Sequence, residues 1–156
     1  EKTETSLFFQ PIRTQLPLVN KMVLYADFHF HSLYSRAVSP DMNLIGLAFG
    51  AKLKGLGLIG TGDFTHPSYF SQLKAGLEFD EQTQFYKFQN YSTLFVPTVE
   101  VATFYNDGKK SSKVHQVIHA PSLEVCEQIS EVLSKRGNLS ADGRPMFAKT
   151  SLPEMV

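Results

Sequence analysis

The 156-residue sequence contains no tryptophan and a single cysteine, Cys126. One thiol excludes an internal disulfide. Cys126 falls in a helix-like segment, where a buried structural thiol is expected, and a reducing, cytoplasmic location fits that usage. No apolar run approaches the ~20 residues that a membrane-spanning helix needs, so no membrane partner is expected. Net charge is zero with histidine neutral. A nucleic-acid partner therefore finds no support in overall charge and would need a local patch. Several catalytic signatures are also missing: there is no GxSxG elbow, no P-loop and no CxxC pair. Gly60-Thr61-Gly62 lacks the third glycine of a dinucleotide site.

The remainder describes an ordinary globular chain. It is 42% hydrophobic and 19% charged, enough for one modest domain and too short for two. Thirteen phenylalanines and six tyrosines make a Phe-rich core. Residues 1–21 are of mixed polarity, contain Pro11 and Pro17, and lack the charged start and apolar centre of a signal peptide. They read as a leader: an upstream start, an artefact of expression or a family-specific extension. The domain is expected to run from Met22 to Val156.

Periodicity divides that domain into alternating elements. Val23 to His31 reads as a buried strand and Ser32 to Asp41 as a loop. Leu44, Leu47, Ala48 and Ala51 recur at helical spacing over 43–54, with Asp41 as N-cap and Gly55 as the stop. Leu56 to Gly60 is a second buried strand. His66-Pro67 opens a helix to about Ala75. Glu78 to Tyr91 is polar and aromatic, without a clear period. Leu94 to Tyr105 is a strand, Asn106-Asp107-Gly108 a hairpin turn, and Lys113 to Ala120 the returning strand. Pro121-Ser122 starts a helix to about Lys135. Gly137 to Pro145 is a loop, and Thr150 to Glu154 the first turn of another helix. Such alternation argues for an α/β architecture with largely parallel strands, in which reactive groups gather at strand carboxyl ends.

The chemistry-bearing residues sit where that architecture would collect them. In Asp27-Phe28-His29-Phe30-His31-Ser32, two histidines two residues apart on a strand share a face, with Cα atoms about 7 Å apart. Asp27 and Ser32 flank them closely enough to support the imidazoles by hydrogen bonds. Glu100 is a carboxylate in an otherwise apolar strand; it either faces solvent on an edge strand or binds a cation, and the cation is favoured. Asp63 follows two turn glycines and is balanced between turn chemistry and metal ligation. His115 and His119 lie about 13 Å apart on one strand, too far to share an ion. His115 is taken as the ligand and His119 as structural; for His66 capping is preferred to ligation. His29, His31, Asp63, Glu100 and His115 thus form a mixed nitrogen and oxygen set, which suits zinc, manganese or iron better than calcium. Metal-assisted hydrolysis of a phosphate ester follows from such a set.

These residues resemble the motifs of the PHP (polymerase and histidinol phosphatase) superfamily. The first motif is similar to Asp27 through Ser32, the second to the Leu58–Asp63 strand end, the bridging glutamate to Glu100, and the next histidine motif to Lys113-Val114-His115. The stretches His31 to Ser39, Ala51 to Leu56, Gly60 to Pro67 and Asp142-Gly143-Arg144-Pro145 resemble the endonuclease Q branch. The resemblance runs from about Met22 to the end. It implies a distorted (β/α)7 TIM-like barrel with up to three divalent ions (zinc, manganese or magnesium). His29 and His31 would hold the first ion, Glu100 would bridge, and His115 would hold the second. It further implies DNA as partner, cut 5′ to deaminated bases or abasic sites, with the damaged nucleotide drawn out of the stack.

Two departures stand out. Many PHP proteins carry an aspartate in the loop after the first motif, where this chain has Arg36, and a histidine where it has Asp63. Asp63 would then serve the third ion, and Arg36 either grips a phosphate through its planar fork or faces solvent. The family's later histidine and aspartate-histidine motifs fall beyond Val156, so an incomplete barrel is expected, with the missing C-terminal part of the same polypeptide as a partner. Lys52, Lys54, Lys109, Lys110 and Lys113 are candidate phosphate contacts. Two other functions compete with the endonuclease: a small-molecule phosphoesterase of the histidinol-phosphatase type, and a non-catalytic module that binds metal or a partner.

Overall fold

The computed structural model describes residues 23–106 and 110–147. The expected leader, the start of a last helix after Thr150, Lys109 and most of the Asn106-Asp107-Gly108 turn lie outside them. Strand β1 is short, Ala26–Asp27, so His29 and His31 follow the strand rather than ending it. Helix α1 spans Leu44–Lys54 and buries Leu44, Leu47, Ala48 and Ala51. Its N-cap is Asn43, whose Oδ1 accepts from Ile45 N and Gly46 N, both at 3.1 Å. The expected cap, Asp41, lies two residues further out, and its carboxylate accepts from the Ser39 hydroxyl instead. Gly55 ends the helix at φ +70°, a left-handed conformation that glycine adopts without steric cost.

Strand β2 (Leu58–Gly60) is wholly buried. Helix α2 runs Pro67–Gly76, with proline in its first turn, as expected. The segment without a clear period becomes a hairpin of β3 (Leu77–Asp80) and β4 (Phe85–Phe88), paired antiparallel. Its turn is closed by Asp80, which accepts from Thr83 N and Oγ1. The long strand expected over 94–105 divides at Pro97 into β5 (Leu94–Val96) and β6 (Thr98–Asn106). Proline has no N–H to continue a ladder, and the chain passes there from one sheet to another. Strand β7 (Ser111–His119) returns antiparallel to β6. Helix α3 (Leu123–Ser134), capped by Ser122, follows, and a two-residue strand β8 (Met146–Phe147) pairs parallel to β6 directly after the expected loop.

The architecture is mixed α/β, with a five-stranded sheet ordered β1-β2-β5-β4-β3 and a three-stranded sheet ordered β7-β6-β8. The expectation of largely parallel strands needs correction. β1, β2 and β5 are parallel, as are β6 and β8, but β3–β4, β4–β5 and β6–β7 are antiparallel. The few residues that separate β3 from β4 and β6 from β7 leave no room for the crossover that parallel neighbours require. Among the described residues the strands do not close into a barrel. Ile59, Phe64, Tyr69, Leu73, Phe95, Val99, Val101 and Phe147 lie at the centre of the core. No described helix is long and apolar enough to cross a membrane.

The two sheets are laced together where β2 ends and β6 begins. Thr98 N donates to Thr61 Oγ1 at 3.1 Å, and Gly62 N donates to Thr98 Oγ1 at 2.9 Å. The Tyr69 hydroxyl donates to the Thr61 carbonyl at 2.9 Å. These bonds fix the segment leading to Asp63 beside the strand that carries Glu100.

Candidate metal centre

Glu100 lies on β6, two residues after Thr98, with its side chain only 4% exposed. Burying a carboxylate is costly unless cations or donors surround it, and here imidazoles do. His29 Nε2 lies 3.2 Å from Glu100 Oε2 and His31 Nε2 lies 2.9 Å from the same oxygen. His115 Nδ1 contacts the other oxygen, Oε1. Strand register explains that contact: His115 pairs with Ala102 and Glu100 with Val117, so the two side chains share one face of the β6–β7 ladder on a diagonal. Burial opposes ionisation of Glu100, but the imidazoles of His29, His115 and His31 outweigh it and hold its carboxyl below the usual range.

One atom decides what this cluster is suited to. Glu100 Oε2 is buried and, despite two imidazole nitrogens so close, accepts no aligned hydrogen bond from the described residues. One ligand atom from each of His29, His31 and Glu100 falls within 4.8 Å of the others. Ligands around a tetrahedral zinc, with bonds of ~2.1 Å, stand ~3.4 Å from one another. Two imidazole nitrogens and a carboxylate oxygen this close, with no aligned hydrogen bond to that oxygen, are suited to a shared cation, which would bind the rings in their neutral form. The donor set of two imidazoles and a carboxylate fits a divalent transition metal.

Behind His31 stands Asp63, fully buried. Its Oδ1 lies 3.3 Å from His31 Nδ1. Its Oδ2 accepts from Ser32 N at 2.6 Å, Ser32 Oγ at 2.7 Å and Ser35 Oγ at 2.9 Å. The hydrogen bond to Asp63 raises the His31 pKa, while burial lowers it; the charges of Asp63 and Glu100 add to the rise and Arg144 opposes it. In the neutral ring, with Nδ1 donating to Asp63, the Nε2 lone pair lies on the side of Glu100. Asp63 itself adopts φ +48°, a left-handed backbone that aspartate tolerates better than most residues. The preceding Gly62, at φ +67°, passes so close to the Phe30 carbonyl that a Cβ would sit 2.4 Å from it. The sharp turn sets the carboxylate under the first histidine motif.

The remaining expected residues fall elsewhere. Asp27 accepts from His29 N at 3.1 Å and so shapes the segment between the histidines. His119 packs edge-on to Phe28, with ring centroids 5.1 Å apart. His66 occupies the N-cap position of α2 without a side-chain cap bond and stacks on Tyr34 at 4.3 Å. Arg36, 78% exposed, places Nε 3.6 Å from Asp142 Oδ2. Lys54 Nζ lies 6.0 Å from the centre of the Phe30 ring. Lys110 is exposed just before β7, about 16 Å along the strand from His115 by the usual rise. Sequence reasoning did not single out Arg144, whose Nη1 lies 3.7 Å from Glu100 Oε2.

No protein-family profile matches the chain. An uncharacterised protein of Methanocaldococcus jannaschii is 33% identical over 125 residues, which are 80% of this chain and 13% of that protein. The lesion-specific endonuclease PfuEndoQ from Pyrococcus furiosus superposes with a TM-score of 0.70 at 31% identity, over 86% of this chain and 32% of its own. An endonuclease Q bound to a 27-mer duplex with an abasic lesion at the active site gives 0.68 at 30% identity, over 83% of this chain and 30% of its own. The chain thus spans about a third of the solved relatives and a smaller part of the curated one. Its structural neighbours are endonuclease Q, and over most of its described length it has the fold of a piece of that enzyme.

Proposed function

We propose that this chain supplies metal-binding machinery for cutting the DNA phosphodiester backbone at damaged bases, on the 5′ side of deaminated nucleotides or abasic sites, as its resemblance to endonuclease Q implies. The observation that carries the proposal is the unbonded, buried Oε2 of Glu100 facing Nε2 of both His29 and His31. His29, His31 and Glu100 would hold one divalent ion, with His115 on the far oxygen of Glu100 serving a second. Such ions, when bound, supply an activated water and stabilise charge on the phosphoryl oxygens. Asp63 holds the His31 ring by its Nδ1 and works from behind it, since its own oxygens are taken by Ser32, Ser35 and His31. It is therefore assigned to orientation rather than to a third ion. Arg36 is left as a peripheral phosphate contact, its guanidinium exposed and tethered at Asp142.

The neighbour solved with an abasic duplex supports DNA as the substrate class. The test is strand cleavage by the purified protein with manganese, magnesium or zinc. Duplexes carrying one abasic site, uracil or hypoxanthine are compared with an undamaged duplex and with a small phosphomonoester. Expected are metal-dependent nicks immediately 5′ to the lesion and none in undamaged DNA. Release of phosphate from the monoester without lesion-dependent nicking or binding would overturn the DNA assignment.

A further inference from the structure

We propose that Arg144 is the residue through which this site grips the phosphate group of its substrate, an inference that rests on the metal-dependent phosphoesterase reading above. Its place in the fold is fixed on both sides. Arg144 N donates to Asp142 Oδ1 at 3.1 Å, and Gly143 N donates to the Tyr34 carbonyl at 3.0 Å. Immediately after it, the Pro145 carbonyl accepts from Ala102 N at 3.0 Å, and Met146 pairs with Ala102. The Arg144 backbone is thus tied to the strand that carries Glu100, two residues from Ala102. This anchoring holds the guanidinium at the mouth of the cluster.

The guanidinium is underused there. Its side chain is only 32% exposed, and Nη1 lies 3.7 Å from Glu100 Oε2, beyond hydrogen-bond distance. Among the described residues no acceptor takes a hydrogen bond from any of its five N–H groups, which leaves the fork open to a ligand. A planar fork of donors beside a cation site matches the oxygens of a phosphate. Charge points the same way: a guanidinium beside a cation site adds positive charge there, and an anionic phosphate is a group that both attract. Without an anion between them, the guanidinium and the ion would repel each other at close range.

The competing role is simple neutralisation of Glu100, and the two differ in what removal of Arg144 does. The experiment uses the whole chain loaded with zinc. It measures zinc stoichiometry by elemental analysis, affinity for inorganic phosphate by calorimetry, and the urea midpoint, for wild type, R144Q, R144K and K135Q. The expected result is unchanged zinc content and urea midpoint in R144Q, with phosphate affinity at least tenfold weaker. R144K is expected to restore part of that affinity, and K135Q, at an exposed lysine paired with Glu131, to stay within twofold of wild type. Phosphate binding by R144Q within twofold of wild type, or zinc-loaded wild type that takes no phosphate, overturns the role of Arg144 and leaves the metal reading standing. Wild type that retains no zinc defeats the metal reading and this inference with it.

Discussion

Asp63 holds Ser32 twice: one carboxylate oxygen accepts both the backbone N–H, at 2.6 Å, and the hydroxyl, at 2.7 Å, of the residue directly after His31. The other oxygen meets His31 itself. One buried carboxylate thereby fixes both the chain and the ring of the first histidine motif. Asp63→Asn keeps the shape and tolerates the left-handed backbone, but turns an acceptor of several donors into a partial donor. A stability loss of about 3 kcal/mol is expected from unmet donors around a buried site, read as a lower urea midpoint. Zinc affinity should fall about 10–100-fold, as it does when a group supporting a metal-bound imidazole is removed. Zinc affinity unchanged by Asp63→Asn would count against the orienting role.

Glu100 contacts all three cluster histidines and leaves one oxygen without a hydrogen bond. Glu100→Gln replaces an anionic ligand with a neutral amide of the same size. Zinc binding followed by calorimetry should weaken by two orders of magnitude or more, while circular dichroism stays that of wild type. His29→Ala, at a more exposed ring, should also lose metal but cost little stability. A variant of either kind that retains full zinc stoichiometry after dialysis would argue against a shared cation.

Much of this centre could be read from residue types. Two histidines at alternate positions after an apolar run, and a lone carboxylate inside Pro97-Thr98-Val99-Glu100-Val101, are unusual enough to point at each other. Helix boundaries at Gly55 and Pro67 were equally legible, because glycine and proline act through local backbone geometry. Other features depend on partners distant in sequence. Nothing near Asp63 says that its oxygens are filled by Ser32 and Ser35, some thirty residues earlier, so ligand and support look alike in sequence. Arg144 lies in a segment without period, beside a two-residue strand too short to leave a pattern. Its only signal was the resemblance of Asp142-Gly143-Arg144-Pro145 to endonuclease Q. The division at Pro97 was visible as a proline, but the change of sheet there required knowing which strands β5 and β6 join.

The start of α1 separates two neighbouring candidates. Asn43 Oδ1 accepts two helix N–H groups, whereas among the described residues the Asp41 carboxylate accepts only from the Ser39 hydroxyl. Asn43→Ala should destabilise the protein by about 1 kcal/mol, the usual loss of a good N-cap. Asp41→Ala should change stability by less than about half that. Thermal unfolding of the two variants side by side checks the order, and a larger loss at Asp41 would contradict it.

Gly143 closes over the same carboxylate that supports His31. A Cβ built on it would sit 2.3 Å from Asp63 Oδ2 and 2.7 Å from Ser35 Oγ, distances at which one side must move. Neither neighbour can yield cheaply: Asp63 is pinned by Ser32 and His31, and Ser35 is pinned by Asp63. On the other side, Gly143 N is bonded to the Tyr34 carbonyl, which prevents the loop from lifting away. Gly143→Ala should therefore destabilise the fold by about 1–3 kcal/mol, the usual range for overpacking, and should weaken zinc binding by displacing the support of His31. Pairing it with Asp63→Asn in a double-mutant cycle makes the argument quantitative. If both act through the same carboxylate, their effects on zinc affinity will fall well short of additive; full additivity would show that Gly143 shapes the site by another route.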